Sequence, residues 1–201
     1  MKVYFDTEFT GLHKDTTLVS IGLVSEDGRS FYAELNDYDR LQTDDWFREN
    51  VEANLIYNKP EIWNSSVADI QILGNKKEVC IELTKWLNTF ETVQLVSDVC
   101  HYDMVLFIDL FGNAFNLPKN VNPCCHDINQ DIAHFQVLTN NNFNFTEADA
   151  FDINREQMLS DAGLGEIPNI YAEKYGGKHN SLYDAHIIKL LSETVLQTYF
   201  K

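Results

Sequence analysis

Asp6 and Glu8 stand two positions apart in the apolar, aromatic-rich run Met1-Lys2-Val3-Tyr4-Phe5-Asp6-Thr7-Glu8-Phe9-Thr10-Gly11. Alternate side chains of a strand share a face, so two acids flanked by Val3, Phe5 and Phe9 lie side by side on a half-buried surface. Desolvation and like-charge repulsion both disfavour the ionised pair. A divalent cation with oxygen ligands resolves that conflict. A D-x-E pair taken alone has a simpler explanation, an edge strand that points both acids to water. Two further acids weigh against it. Asp103 shares a helical stripe with Leu106, Phe107 and Leu110, and Asp184 shares another with Ile188, Leu191 and Val195. A capping box with Ser181 as N-cap explains Asp184 as well as catalysis does, and His179 alone is an ordinary loop histidine. Capping leaves unexplained why three separate acid sites all sit on apolar surfaces.

The elements that must hold these groups alternate along the chain. The first strand is followed by a second over 17–24, an Asp27-Gly28 hairpin turn and a third strand over 30–35, which together form an antiparallel meander. Residues 36–45 form an acidic loop whose Asp37 and Asp39 lack the glycine and distal Glu of a calcium loop. A helix over 44–55 has the apolar set Trp46, Phe47, Val51 and Leu55, and a connection without assigned structure runs from 59 to 74. A helix over 76–90 carries Val79, Cys80, Leu83, Trp86 and Leu87. Residues 93–97 form a fourth strand leading into the Asp103 helix at 102–111, and a short fifth strand with a following helix fits 122–128 and beyond. Residues 139–145 are an Asn-rich loop, 152–162 a helix, and Gly176-Gly177-Lys178 a flexible approach to the last helix, opened by His179-Asn180-Ser181. No repeat or composition break divides the chain, so 1–201 reads as one domain.

Composition narrows the function classes. The 201 residues include 15 Lys plus Arg against 31 Asp plus Glu, a formal net charge of -16. A protein that grips long duplex by its phosphates carries a basic patch, and only Lys76-Lys77 and the stretch from Lys174 to Lys178 concentrate positive charge. No run is long enough to span a bilayer, and no basic-then-apolar leader opens the sequence, so a cytoplasmic compartment without a membrane partner is expected. Cys80, Cys100, Cys124 and Cys125 lack C-x-x-C spacing and read as reduced thiols, and Cys124-Cys125-His126-Asp127 is too weak a metal signal to build on. The two sequons, at Asn64 and Asn144, carry no weight in a chain that is not secreted.

Phe5-Asp6-Thr7-Glu8-Phe9-Thr10-Gly11, Tyr102-Asp103-Met104-Val105-Leu106-Phe107 and His179-Asn180-Ser181-Leu182-Tyr183-Asp184-Ala185 resemble, in order and spacing, the three motifs of the DEDDh 3'-to-5' exonucleases, which include proofreading subunits, RNase T and oligoribonuclease. The H-x4-D spacing separates this branch from its tyrosine-bearing relatives. Leu18-Val19-Ser20-Ile21-Gly22, Glu26-Asp27-Gly28-Arg29 and the run from Leu106 to Gly112 are similar to a small exoribonuclease subgroup of mycobacteria and phages. The second motif departs from the family, which often has an Asn a few residues before the acid where this chain has Asp98-Val99. Asp98 is therefore a rival to Asp103, which is preferred because it follows an aromatic residue and precedes an apolar helical run.

The resemblance implies an RNase H-like α/β fold, a five-stranded mixed sheet flanked by helices. It implies that Asp6, Glu8, Asp103 and Asp184 hold two Mg2+ or Mn2+ ions about 3.5 to 4 Å apart. His179 would be the general base, its glycine-rich loop letting it close over the site. Phe9, Thr10 and Leu12 would pack on the terminal nucleotide. The expected substrate is a single-stranded RNA 3' end or overhang, cut to nucleoside monophosphates. A DNA-directed exonuclease of the same fold is the alternative, and a non-catalytic nucleic-acid-binding protein a more distant one. The sequence leaves room for a homodimer without specifying one.

Overall fold

The computed structural model of the chain describes residues 1–140 and 144–197. Its centre is a mixed sheet of six strands in the order β4-β3-β2-β1-β5-β6. In chain order these are β1 (Lys2–Phe9), β2 (Leu18–Ser25), β3 (Ser30–Leu35), β4 (Ile70–Gly74), β5 (Gln94–Ser97) and β6 (His126–Asp127). The first three form the expected antiparallel meander, and β5 pairs parallel to β1. The sheet has one strand more than expected. Residues 70–74, within the stretch read as a connection, pair parallel to β3 and close the far edge. Its five residues are half-buried up to Gly74, so they show neither the apolar run of a central strand nor a long alternation.

Nine helices flank the sheet among the described residues: α1 (Asp45–Asn50), α2 (Pro60–Trp63), α3 (Lys76–Leu87), α4 (His101–Leu110), α5 (Ile128–Asn140), α6 (Glu147–Phe151), α7 (Arg155–Asp161), α8 (Glu166–Tyr175) and α9 (Ser181–Leu190). Sequence reading assigned nothing to α2, α6 or α8. In α8 the interior-looking Pro168 falls in the first turn, where the missing N–H has no helical partner to lose. The expected Asn-rich loop is only partly observable, because 141–143 lie outside the described residues. No helix among the described residues is long and apolar enough to cross a membrane, and all four cysteines are free.

Strand alternation sorts the core into two layers. Val3, Phe5, Ile21, Leu23, Phe31 and Ala33 pack with Val79 and Leu83 of α3 and Leu106, Phe107 and Leu110 of α4. Tyr4, Val24 and Tyr32 face the other way, against Leu182, Ala185 and Ile188 of α9 and Met158 and Leu159 of α7. The register then lays Asp6, Gly22 and Tyr32 in one row across three strands and Glu8, Ser20 and Glu34 in the next. Both rows belong to the α9 face. Gly22 is what lets α9 come down on them. A Cβ there would lie 2.4 Å from the backbone of Ser181 and Leu182, and beside it the Ser20 and Ser181 hydroxyls are hydrogen-bonded at 2.9 Å.

Candidate active site

At the end of β1 the strand pattern does what its spacing predicts, and the acids at positions 6 and 8 share the face beneath α9. The first turn of α9 brings Asp184 over them. Carboxylate oxygens of Asp6, Glu8 and Asp184 all lie within 4.8 Å of one another. They open into a cleft of about 710 Å³, lined among others by Phe9, Leu12, Trp46, Tyr102, Lys178 and His179.

Asp103 stands beside this group, at the start of α4, and is held differently. One of its oxygens accepts from the Thr7 N–H at 3.1 Å and the Thr7 hydroxyl at 2.5 Å, and the other accepts from the Ser97 hydroxyl at 3.0 Å. Its rival Asp98 is engaged elsewhere. Arg155 reaches it from α7 with a two-pronged contact, Nε at 2.6 Å and a terminal guanidinium nitrogen at 2.8 Å, and spends its other donors on Ala150, Ile153 and Asn129. That pairing neutralises Asp98, whereas Asp103 has no cation in ion-pair contact among the described residues.

Burial sets the electrostatics. It pushes the carboxyls of Asp6 and Glu8 well above the usual carboxylate range, with Asp103, Asp184 and Glu8 adding repulsion at Asp6 and Asp184 and Asp103 at Glu8. Burial likewise raises Asp184 to about 8 against the opposing His179 N–H, and Asp103 to about 6 against its bonds from Thr7 and Ser97. No Lys or Arg forms an ion pair with any of the four among the described residues. An all-oxygen donor set that is buried, crowded and not ion-paired to a protein cation among the described residues suits a hard divalent ion.

His179 sits in the left-handed region with φ 62°. Its N–H donates to Asp184 at 2.9 Å, and its ring meets Trp46 edge to face at 5.4 Å. Burial, then the nearby Lys178, lowers its pKa, so the imidazole is neutral at pH 7. The N-cap of α9 is Asn180 and not Ser181, and Asp184 reaches back beyond the cap to His179, so the capping-box alternative does not hold in the form expected. The Gly176-Gly177 approach is tied down, with Asn54 donating to the Lys178 carbonyl at 2.8 Å.

Trp46 was expected in the buried stripe of its helix. Phe47, Val51 and Leu55 do form a small core with Val19 and Tyr38, but Trp46 is 56% exposed in the cleft. Phe9 stacks on Tyr102 with ring centres 5.3 Å apart, and Leu12 is 78% exposed at the rim. The Thr10 hydroxyl is spent inside the fold, on Gln42 and the Thr17 N–H, so only the remainder of that residue can face a ligand. Sequence reasoning missed Trp46, Arg155 and Asn54 as parts of the site. Tyr102 was visible as the aromatic before the second-motif acid.

Residues 1–196 match the family described as the 3'-5' exoribonuclease Rv2179c-like domain. Two similar proteins are the 3'-5' exoribonucleases Rv2179c and MT2234.1 from two strains of Mycobacterium tuberculosis. Each is 28% identical over 123 residues, covering 60% of this chain and 67% of the relative.

Proposed function

Because this chain belongs to the Rv2179c-like 3'-5' exoribonuclease domain family and is on that ground an exoribonuclease, we propose that it removes nucleoside monophosphates one at a time from single-stranded RNA 3' ends or overhangs in a divalent-metal-dependent reaction. The observation that carries the metal dependence is the convergence of Asp6, Glu8 and Asp184 within 4.8 Å. These three, with Asp103 beside them, would hold two Mg2+ or Mn2+ ions. Such ions, when bound, stabilise negative charge on the attacking and leaving oxygens of a phosphodiester. His179 accepts the proton of the attacking water, being neutral at pH 7 and poised next to Asp184. The stacked Phe9 and Tyr102 rings and Leu12 offer an apolar face to the terminal base. The reduced thiols suit a cytoplasmic setting.

The test incubates the protein and Mn2+ with matched 5'-labelled RNA and DNA, with and without EDTA. Laddering from the 3' end of RNA that EDTA abolishes is expected. Preference for DNA would make it an exodeoxyribonuclease, and absence of any cleavage would overturn the reading. Asp6→Asn should lose cleavage and bind Mn2+ more weakly, and wild-type affinity by calorimetry would sink the ligand assignment. His179→Ala should lower kcat roughly 10²-fold to 10⁴-fold with Mn2+ binding retained.

A further inference from the structure

Behind His179 lies a buried polar chain that the reaction above does not use. Glu34 is 3% exposed and Tyr32 and Asn180 are fully buried. One Glu34 oxygen accepts from the Ile56 N–H at 2.7 Å, the Tyr57 N–H at 3.0 Å and the Tyr32 hydroxyl at 2.8 Å. The Tyr32 oxygen in turn accepts from the Asn180 amide at 3.0 Å. That amide also donates to the Asn54 carbonyl at 3.0 Å, while its own oxygen caps α9 through the Leu182 and Tyr183 N–H groups. The Asn54 side chain completes the ring by donating to the Lys178 carbonyl. The residues on both sides of His179 are thus held by one turn and one buried carboxylate.

We infer that Glu34, Tyr32 and Asn54 are positioning residues for the general base, a clamp that presets His179 in its left-handed conformation over Asp184. The inference rests on the reading of His179 as base. Three observations carry it. A non-glycine residue at φ 62° costs free energy and persists only where its surroundings over-determine it. The approach is packed as well as bonded, since a Cβ on Gly176 would lie 2.8 Å from the Asn54 carbonyl. The clamp is also continuous with the acids: Tyr32 lies in the sheet row of Asp6, and Glu34 in that of Glu8. The same sheet rows therefore set the ligands at one end and the base at the other. A carboxylate accepting from Tyr32 polarises that hydroxyl and strengthens its oxygen as an acceptor for Asn180. The loop is a preformed seat for the base; it does not have to close to place it.

Tyr32→Phe removes a single oxygen from the chain, and Asn54→Ala, at a half-buried turn, breaks the other side. Both are made in the wild-type and His179→Ala backgrounds of the full chain and assayed with Mn2+ on 5'-labelled RNA. Each should lower kcat about 10-fold through misplacement of the base, with KM for RNA and calorimetric Mn2+ affinity within about two-fold of wild type. In the His179→Ala background neither should cause further loss, because the group they position is gone. Equal losses in both backgrounds, or a matching loss of Mn2+ affinity, would overturn the inference and leave the base assignment standing. Wild-type activity in His179→Ala alone would overturn the base assignment and the inference with it.

Discussion

Replacing Asp184 by Asn should make the metal-free protein more stable while removing its activity. Asp184 has a folded pKa of about 8 against 3.8 in the reference state, so between those values the folded chain holds the more protons and its stability falls as pH rises. At pH 7 the solution lies about 3 units above the unfolded pKa and still below the folded one, so holding the carboxyl in the folded chain costs about 4 kcal/mol. An Asn escapes that cost and can still accept the His179 N–H through its amide oxygen. The exchange of a largely neutral carboxyl for an amide in the bond from the His179 N–H returns up to about 1 kcal/mol, and partial solvent access to Asp184 lowers the total further. A net stabilisation of about 1 to 3 kcal/mol remains, or a Tm rise of about 2 to 4 °C per kcal/mol for a chain of this size.

Urea denaturation in EDTA at pH 7 and pH 5 measures this directly. The advantage of Asp184→Asn should shrink below about 1 kcal/mol at pH 5, where only about 1 unit separates solution from the unfolded pKa. Millimolar Mn2+ should reverse the order, since a ligand at 100 times its Kd adds about 2.7 kcal/mol to the wild type and less to a variant short of one ligand charge. A variant no more stable than wild type in EDTA at pH 7, or a gap that does not narrow toward pH 5, would refute the argument that burial raises the Asp184 pKa at a cost to stability.

Gly22→Ala should cost about 1 to 3 kcal/mol or more and lower activity, because its Cβ would meet the α9 backbone at 2.4 Å and displace Asp184; a variant with normal Tm and turnover would show that α9 shifts freely. Asp103→Asn should abolish cleavage, whereas Asp98→Asn should chiefly destabilise, since it strands the half-buried Arg155. The opposite ranking in activity assays would exchange their roles. Substrate grip should be short-range, because of the Lys and Arg residues lining the cleft Arg155 is spent on Asp98, which leaves Lys178, without an ion-pair partner among the described residues, to meet phosphate. A log-log salt slope of about 1 to 3 is expected for two to four phosphate contacts, with release after one or a few cuts. A steep slope, or processive decay in a trap-challenged assay, would contradict that.

The acids were legible because each sits where a local period predicts its direction. Asp6 and Glu8 follow the two-residue repeat of β1, and Asp103 and Asp184 follow helical stripes. Trp46 was not legible, because Trp46 and Phe47 are adjacent and only one can face the core; tertiary packing chose Phe47. The ion pair that engages Asp98 was not legible either, because Arg155 lies 57 residues from its partner in the chain. Strand β4 was lost for want of burial, and α8 for a proline in its first turn.

The clamp around His179 was invisible for a stronger version of the same reason. Its bonds join residues 124, 126 and 148 positions apart, and no local pattern marks Asn54 or Tyr32 as anything but a turn residue and a core aromatic. What makes them a unit is register. Pairing Tyr32 with Gly22, and Gly22 with Asp6, places the tyrosine hydroxyl under the start of α9, where the missing Cβ of Gly22 admits the helix. A one-residue slip of β3 would turn Tyr32 and Glu34 to the α3 side and leave Asn180 without its partner. The local rules broken in this region, crowded buried acids and a histidine at positive φ, thus concentrate where three strands and one helix N-terminus meet, and such concentrations of local conflict are expected at functional sites.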